Sequence, residues 1–378
     1  MKGVSGIDKS EYIRNVELKD ISQKLEEGIR DVLESREFRK YLSFMGTFHD
    51  YSANNIALIL KQFPEAKMVA GYYTWNNVFK RHIKRGEKGI RVIMPCPVKV
   101  RDVRDGCDNG IVTILRYKVG YVYDVSQTEG RELPRLEINN LSGKVHDYRK
   151  LLKAITDTAD IPIRFSEISN GANGFYSNRE KAIVISRDLS EAHSIKTLIH
   201  EMAHHLLHDR DLLMETSTVK EDWEKEIEAE SVAYCVCSHF GIDASEYSFK
   251  YIAAWAEKRE MKEIKKSFEV IRKTSLGLIY GIDRRYTELT RNEEIETIKE
   301  VLGKYEYEKG QGKLPADGKE LEMRLIRGDT EEITSFVLRR IRDHETSEGE
   351  REELGRIRDM LGTFNEYAEK EKERTVER

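Results

Sequence analysis

The stretch "TLIHEMAHHLLH", residues 197–208, constrains this chain more than any other. Ile195, Leu198, Ile199, Met202, Leu206 and Leu207 recur at helical spacing, which predicts a helix with one apolar stripe. His200 and His204 stand four residues apart. That spacing puts both imidazoles on one face, a turn apart, where they can share a tetrahedral ion. Glu201 follows the first histidine, the position from which a carboxylate reaches a water activated by that ion. The string "HEMAH" is therefore HExxH. The competing reading is an ordinary amphipathic helix with core or surface histidines. A hairpin-like pair, "GFYSNREKAIVIS", directly upstream favours the metal site, because the zinc-protease scaffold places a hairpin before this helix.

Two ligands do not complete such a site. His208 lies eight residues from His200, about 12 Å along a continuous helix, too far to share one ion. No glycine stands between His204 and His208 to turn the chain. The segment "EKEIEAESVAY", residues 224–234, offers Glu226, Glu228 and Glu230 on a second helix. Glu226 and Glu230 share a face at i, i+4, and Glu228 is rotated away from both. The expected set is thus one Zn²⁺ per chain on His200, His204 and Glu226, with Glu201 catalytic. Glu230 is the carboxylate expected to orient a ligating histidine. His205 and His208 are left as structural residues.

The chain is 378 residues long and 35% charged, with six prolines, which points to two or three domains and long charged helices. Residues 11–63 have helical periodicity. "GIRVIMPCPVKV" (89–100) and "IVTILRYKVGYVYDV" (111–125) are β-branched and aromatic, a hairpin with a long polar connection. Residues 126–144 have no strong period and are expected to be a linker. After about residue 290 the sequence is charged helix with few core positions. The fold class is α+β: N-terminal helices with a β-hairpin sheet, a small-sheet domain around the HExxH helix, then a helical extension. The expected boundaries are 1–132, 145–285 and 291–378. No long apolar segment predicts a membrane span, and the four cysteines fit a reducing, cytoplasmic setting.

Residues 1–132 carry 23 Lys and Arg against 18 Asp and Glu, whereas residues 291–378 carry 18 against 24. The basic excess concentrates between Lys61 and Arg104, where 11 cations face 3 acids. Tyr72, Tyr73, Trp75 and Phe79 are interleaved with them. Cations that track phosphates and aromatic faces that stack bases are what single-strand binding needs. A solvated basic face over an aromatic core would have the same composition.

Two resemblances bear on these segments. "HEMAHHLLH" followed by "EIEAESVAY" resembles the ImmA/IrrE-type gluzincin metallopeptidases, in which HExxH is followed by a glutamate beginning E-x-x-A, here Glu226. In that family the hairpin before the histidine helix is expected to hold an extended peptide by strand addition, and Tyr176 on its edge strand is a candidate transition-state stabiliser. "YSANNIALILKQFPEAKMVAGYYTWNNVFKRHIKRGEKGIRVIMP" (51–95) resembles the single-stranded-DNA-binding domain of ArdC antirestriction proteins. The matching positions are Tyr51, Ser52, Asn55, Gln62, Pro64, Trp75, the run from Lys84 to Ile90, and Pro95; "VYDVSQT" (122–128) resembles the end of that domain. The resemblance implies DNA contacts among Tyr51, Asn55, Trp75, Lys80, Arg81, Lys84, Arg85 and Lys88. It implies a DNA-associated zinc metallopeptidase of a mobile element, with single-stranded DNA and a protein substrate, DNA-bound or free, as partners. The alternatives are a non-catalytic shield against restriction with an idle zinc site, or a repressor-cleaving peptidase whose first domain docks protein.

Overall fold

The computed structural model describes residues 9–376 apart from 34, 49–50, 102–110, 133–144, 170, 217–218, 244–248, 250–251, 258, 306–313, 316 and 344–345. The fold is α+β. The chain forms two compact units, residues 1–283 and 284–378.

The first unit opens with helices α1 (Lys9–Val32), α2 (Ser35–Thr47) and α3 (Ala53–Gln62). Ser52 caps α3 by accepting a hydrogen bond from the Asn55 N–H. Strands β1 (Val69–Gly71), β4 (Ile111–Asp124) and β3 (Ile90–Arg101) then form an antiparallel sheet in the order β1-β4-β3. The expected hairpin is this β3–β4 pair, whose polar connection lies outside the described residues. β2 (Arg81–Ile83) pairs with β5 (Thr128–Gly130), so residues 128–130 of the expected linker are strand; residues 133–144 lie outside the description.

A sheet edge exposes unpaired N–H and C=O groups, and α3 covers the edge at β3 with side-chain amides. Asn55 donates to the Ile93 carbonyl at 2.9 Å and accepts from its N–H at 2.8 Å. Two helical turns on, Gln62 does the same to Arg91 at 2.8 and 3.1 Å. Seven residues are about two helical turns, so both amides project from one face of α3 and meet alternate strand positions, Ile93 and Arg91. At the far end of β4, buried Asp124 accepts from the N–H groups of Lys67, Met68 and Ser126. Burial alone would raise its carboxyl pKa, but these donors and the Ser126 hydroxyl hold it below the ordinary aspartate value.

The chain continues through α4 (Val145–Thr158), β6 (Ile163–Ser166), β7 (Gly174–Ser177), β8 (Ala182–Ser186), α5 (Glu191–His208), α6 (Arg210–Glu215), α7 (Asp222–His239), α8 (Ile252–Glu257) and α9 (Met261–Gly303). The second sheet has the order β6-β8-β7, with β6 parallel and β7 antiparallel to the central β8. β7 is therefore an edge. Helix α5 lies on it so closely that a Cβ on Gly174 would come within 2.7 Å of Thr197. Ile195, Leu198, Ile199 and Met202 bury the expected stripe of α5. Leu206 departs from it, being 39% exposed.

Helix α2 packs on α7, so the first helices and the histidine-bearing region share a core. Phe38 of α2 meets Phe249 edge-on at 5.0 Å between ring centroids, and Tyr41 lies 5.1 Å from Phe268 of α9. Each such buried side chain contributes about 1.5–3 kcal/mol by removing apolar surface from water. At the crossing point Gly46 abuts the Cys235 carbonyl, and His239 of α7 donates from Nδ1 to the Gly46 carbonyl at 3.0 Å.

The second unit contains the end of α9 with α10 (Gly318–Arg327), α11 (Glu331–Arg342) and α12 (Glu348–Val376). Its helices have a genuine core, with Ile298, Leu325, Ile333, Val337, Leu354 and Leu361 all fully buried. The high charge of these helices hides an apolar residue on every third or fourth position. Among the described residues, no helix is long and apolar enough to cross a membrane.

Candidate metal centre and nucleic-acid face

The helical register of α5 brings His200 Nε2 and His204 Nε2 to 3.0 Å. Helix α7 crosses α5 and brings Glu226 to the same point, its oxygens 3.4 Å from His200 Nε2 and 3.3 Å from His204 Nε2. One ligand atom from each of the three residues lies within 4.8 Å of the others. Two imidazoles and a carboxylate at this separation form the donor set of a three-ligand divalent-metal site. Both histidines are largely buried while Glu226 is 56% exposed, so the site is open on one side. Hydrogen bonds to His200 and His204 hold the Glu226 carboxyl well below the usual carboxylate range. Burial pulls the His200 pKa down, but the bond to Glu226 and the charges of Glu201, Glu226 and Glu230 make the net direction upward.

Glu201 is buried beside these groups. Burial raises its carboxyl pKa and the Glu226 charge adds to that, against the pull of His200, His204 and the Tyr176 N–H that donates to it. A carboxyl pushed upward is better matched to proton transfer near neutral pH. Glu230 lies one turn beyond Glu226; burial and the Glu226 charge raise its pKa, and His200 lowers it. The Tyr176 hydroxyl is committed to Asp209, which Lys181 also holds at 2.6 Å. Burial and that bond push the phenol pKa up to about 12. This leaves Tyr176 poorly placed for the stabilising role suggested by its edge strand.

His208, expected from the sequence to be a structural residue, reaches His204 from the other side, with 3.0 Å between the two Nδ1 atoms. Its Nε2 lies 3.0 Å from Glu228, which also accepts from Lys220 at 2.6 Å and from Ser267 at 3.1 Å. Glu228 is indeed rotated away from Glu226 and Glu230, as expected, but onto a buried histidine rather than into solvent. The i, i+4 spacing of His204 and His208 was the available signal.

The expected DNA contacts divide sharply. Trp75, in the π-helical turn Thr74–Val78, is fully buried and donates its indole N–H to the Tyr123 carbonyl at 2.9 Å. It cannot stack a base without leaving the core, which corrects its assignment as a platform. Asn55 is occupied by β3, and the Tyr51 hydroxyl donates to the Val69 carbonyl at 3.1 Å. Arg81 is spent on Thr128 and on the Arg131 carbonyl. Lys84 is exposed but donates to the Ser126 carbonyl at 2.8 Å, while Lys80, Arg85 and Lys88 are exposed. Among the described residues of 13–135, the aromatic faces open to solvent include Tyr72 (63% exposed), Tyr73 (73%), Tyr117 and Tyr121.

With the geometry in view, comparison with known proteins assigns the two halves. Residues 156–274, which include the histidine helix, match the IrrE N-terminal-like domain, a peptidase family. Residues 13–135 match the N-terminal domain of anti-restriction factor ArdC. The chain has the ArdC-type architecture, these two domains in this order. It is 27% identical over 320 residues to an uncharacterized protein of Bacillus anthracis, covering 74% of this chain and 53% of that protein. The chain thus spans about half the length of the curated relative it matches. The metal-free crystal structure of the antirestriction ArdC protein from the R388 plasmid aligns at 17% identity and a TM-score of 0.44, covering 63% of this chain and 86% of that one. Its Mn(II)-bound form aligns at 16% and 0.40, over 62% and 85%.

Proposed function

We propose that this chain is a DNA-associated metallopeptidase of the antirestriction type, with residues 1–132 binding single-stranded DNA, 145–285 hydrolysing peptide bonds, and 291–378 a helical extension. The observation that carries the reading is the convergence of His200, His204 and Glu226 with Glu201 beside the edge strand β7. The donor set suits one zinc ion, which supplies Lewis acidity when bound. His200 and His204 present their Nε2 atoms to it and Glu226 a carboxylate. Glu201 takes a proton from the attacking water and returns it to the leaving amine. An extended peptide pairs with the outer edge of β7, where the Tyr176 N–H now donates to Glu201.

The DNA reading rests on exposed cations beside exposed tyrosines, Lys80, Arg85 and Lys88 with Tyr72 and Tyr73. Holding the two activities in one chain raises the concentration of the peptidase near proteins on the same strand.

The test is metal content and cleavage of a protein bound to single-stranded DNA, for the wild type and variants. Glu201→Gln should retain about one zinc and lose cleavage, and Glu226→Ala should lose zinc. Cleavage that persists in Glu201→Gln overturns the mechanism. Equal protection of DNA from restriction by the wild type and Glu201→Gln, with no cleavage by either, replaces it with a DNA shield. Stoichiometric manganese in place of zinc would correct the ion and leave the ligands standing.

A further inference from the structure

Helix α7 touches the metal centre by two routes. Glu226 reaches it directly, and Glu228, on the other side of the helix, reaches it through His208 and His204. His208 and Glu228 are both only 6% exposed, so each polar atom there needs a partner inside the protein.

Hydrogen-bond accounting fixes the protons along this line. Lys220, 2.6 Å from Glu228, neutralises its charge, and an ionised carboxylate only accepts. His208 must therefore donate from Nε2. A neutral imidazole that donates from Nε2 has a bare Nδ1, so His208 accepts at Nδ1. The two Nδ1 atoms at 3.0 Å cannot both be bare without loss, so His204 donates from its Nδ1. That leaves the lone pair of His204 on Nε2, the atom facing His200 and Glu226. Ser267, from α9, fills the second oxygen of Glu228 and fixes the carboxylate plane.

We infer that His208 and Glu228 are positioning residues for the metal site, and that they lock His204 in the tautomer and orientation that ligate through Nε2. The inference rests on the metal-site reading and adds to it residues outside the ligand set. Partners of this kind raise the basicity of a ligating histidine, and their loss typically weakens metal binding by about 10–100-fold.

The experiment is a zinc titration against a chromophoric chelator on the full chain, with thermal melting of each metal-free protein as the check on folding. His208→Phe keeps the ring volume and removes the acceptor; its zinc affinity should fall about 10–100-fold. His208→Asn keeps an acceptor near the Nδ1 position and should recover most of the loss. A folded His208→Phe that binds zinc as the wild type does, within about twofold, overturns the inference and leaves the ligand set intact. A wild type that binds no zinc overturns the metal reading and this inference with it. Should His208→Phe fail to fold, nitrogen-15 spectra of zinc-loaded wild type, labelled at histidine, decide the matter. They should report His208 protonated at Nε2 and bare at Nδ1; a proton on His208 Nδ1 overturns the inference.

Discussion

Replacing Gly46 by alanine tests whether α2 and α7 are seated as one core. A Cβ built on Gly46 would stand 2.4 Å from the Cys235 carbonyl oxygen, where real Cβ atoms essentially never come closer than 3.0 Å. The obstacle is backbone in the middle of a helix, so no side-chain rotation relieves it, and the helices must part by at least 0.6 Å, the difference between those distances. The bond from His239 Nδ1 to the Gly46 carbonyl, 3.0 Å long, strains at the same point. Overpacking of this kind costs about 1–3 kcal/mol. The helix propensity of alanine returns at most about 1 kcal/mol. Gly277, in α9, is the matched control, since nothing lies within 4 Å of its added Cβ. Gly277→Ala should stabilise by up to about 1 kcal/mol. Both variants gain the same propensity, so Gly46→Ala should fall below Gly277→Ala by the overpacking cost alone, about 1–3 kcal/mol in urea unfolding followed by circular dichroism. If Gly46→Ala is stabilised as much as Gly277→Ala, the close seating of α2 on α7 is wrong.

Further outcomes concern Asp124 and the expected DNA face. Asp124→Asn should destabilise by about 2–3 kcal/mol, because it removes the charge that three N–H groups are aimed at. The folded pKa of Asp124 is depressed, so its stabilisation is complete above the unfolded carboxylate value of about 4 and fades as pH falls through the lower folded value. Acid unfolding of the wild type should carry this loss and that of Asp124→Asn should not. An identical acid profile for both would contradict it. Joint replacement of Tyr72 and Tyr73 by alanine should weaken single-strand binding about tenfold or more at constant stability, given about 1–3 kcal/mol per stacked base. Trp75→Ala should instead lower the melting temperature, and binding of the wild type should fall steeply with salt. Unchanged affinity in the tyrosine variant would move the DNA face elsewhere.

How much of this was legible in the sequence depends on the range of each interaction. The approach of His200 to His204 follows from one helix and a four-residue spacing, so the pair was readable. The face shared by Glu226 and Glu230 was readable for the same reason, although nothing local said which helix turn would meet α5. The His204–His208–Glu228 line joins two helices, and neither helix alone distinguishes a buried glutamate from a solvated one. Composition likewise cannot tell a stacking tryptophan from a core tryptophan. Trp75 sits two residues from exposed Tyr73, yet it is buried, packed against Phe79 and donating its N–H to the Tyr123 carbonyl. By resemblance Asn55 is an expected DNA contact and Gln62 a position that matches the family pattern. Their roles as edge-capping amides appear only once α3 lies along β3.

The shared seam of α2 and α7 also bears on how the molecule can be divided. Cut between its two family segments, the chain would leave Phe38 and Tyr41 in water on one piece. The other piece would be left with their former neighbours, Phe249 and Phe268 among them. Each fragment would then carry a sticky apolar scar, prone to self-association and to capture by chaperones. The two halves match different families, yet they are not interchangeable cassettes: a foreign partner for either would have to bring its own surface to close the wound.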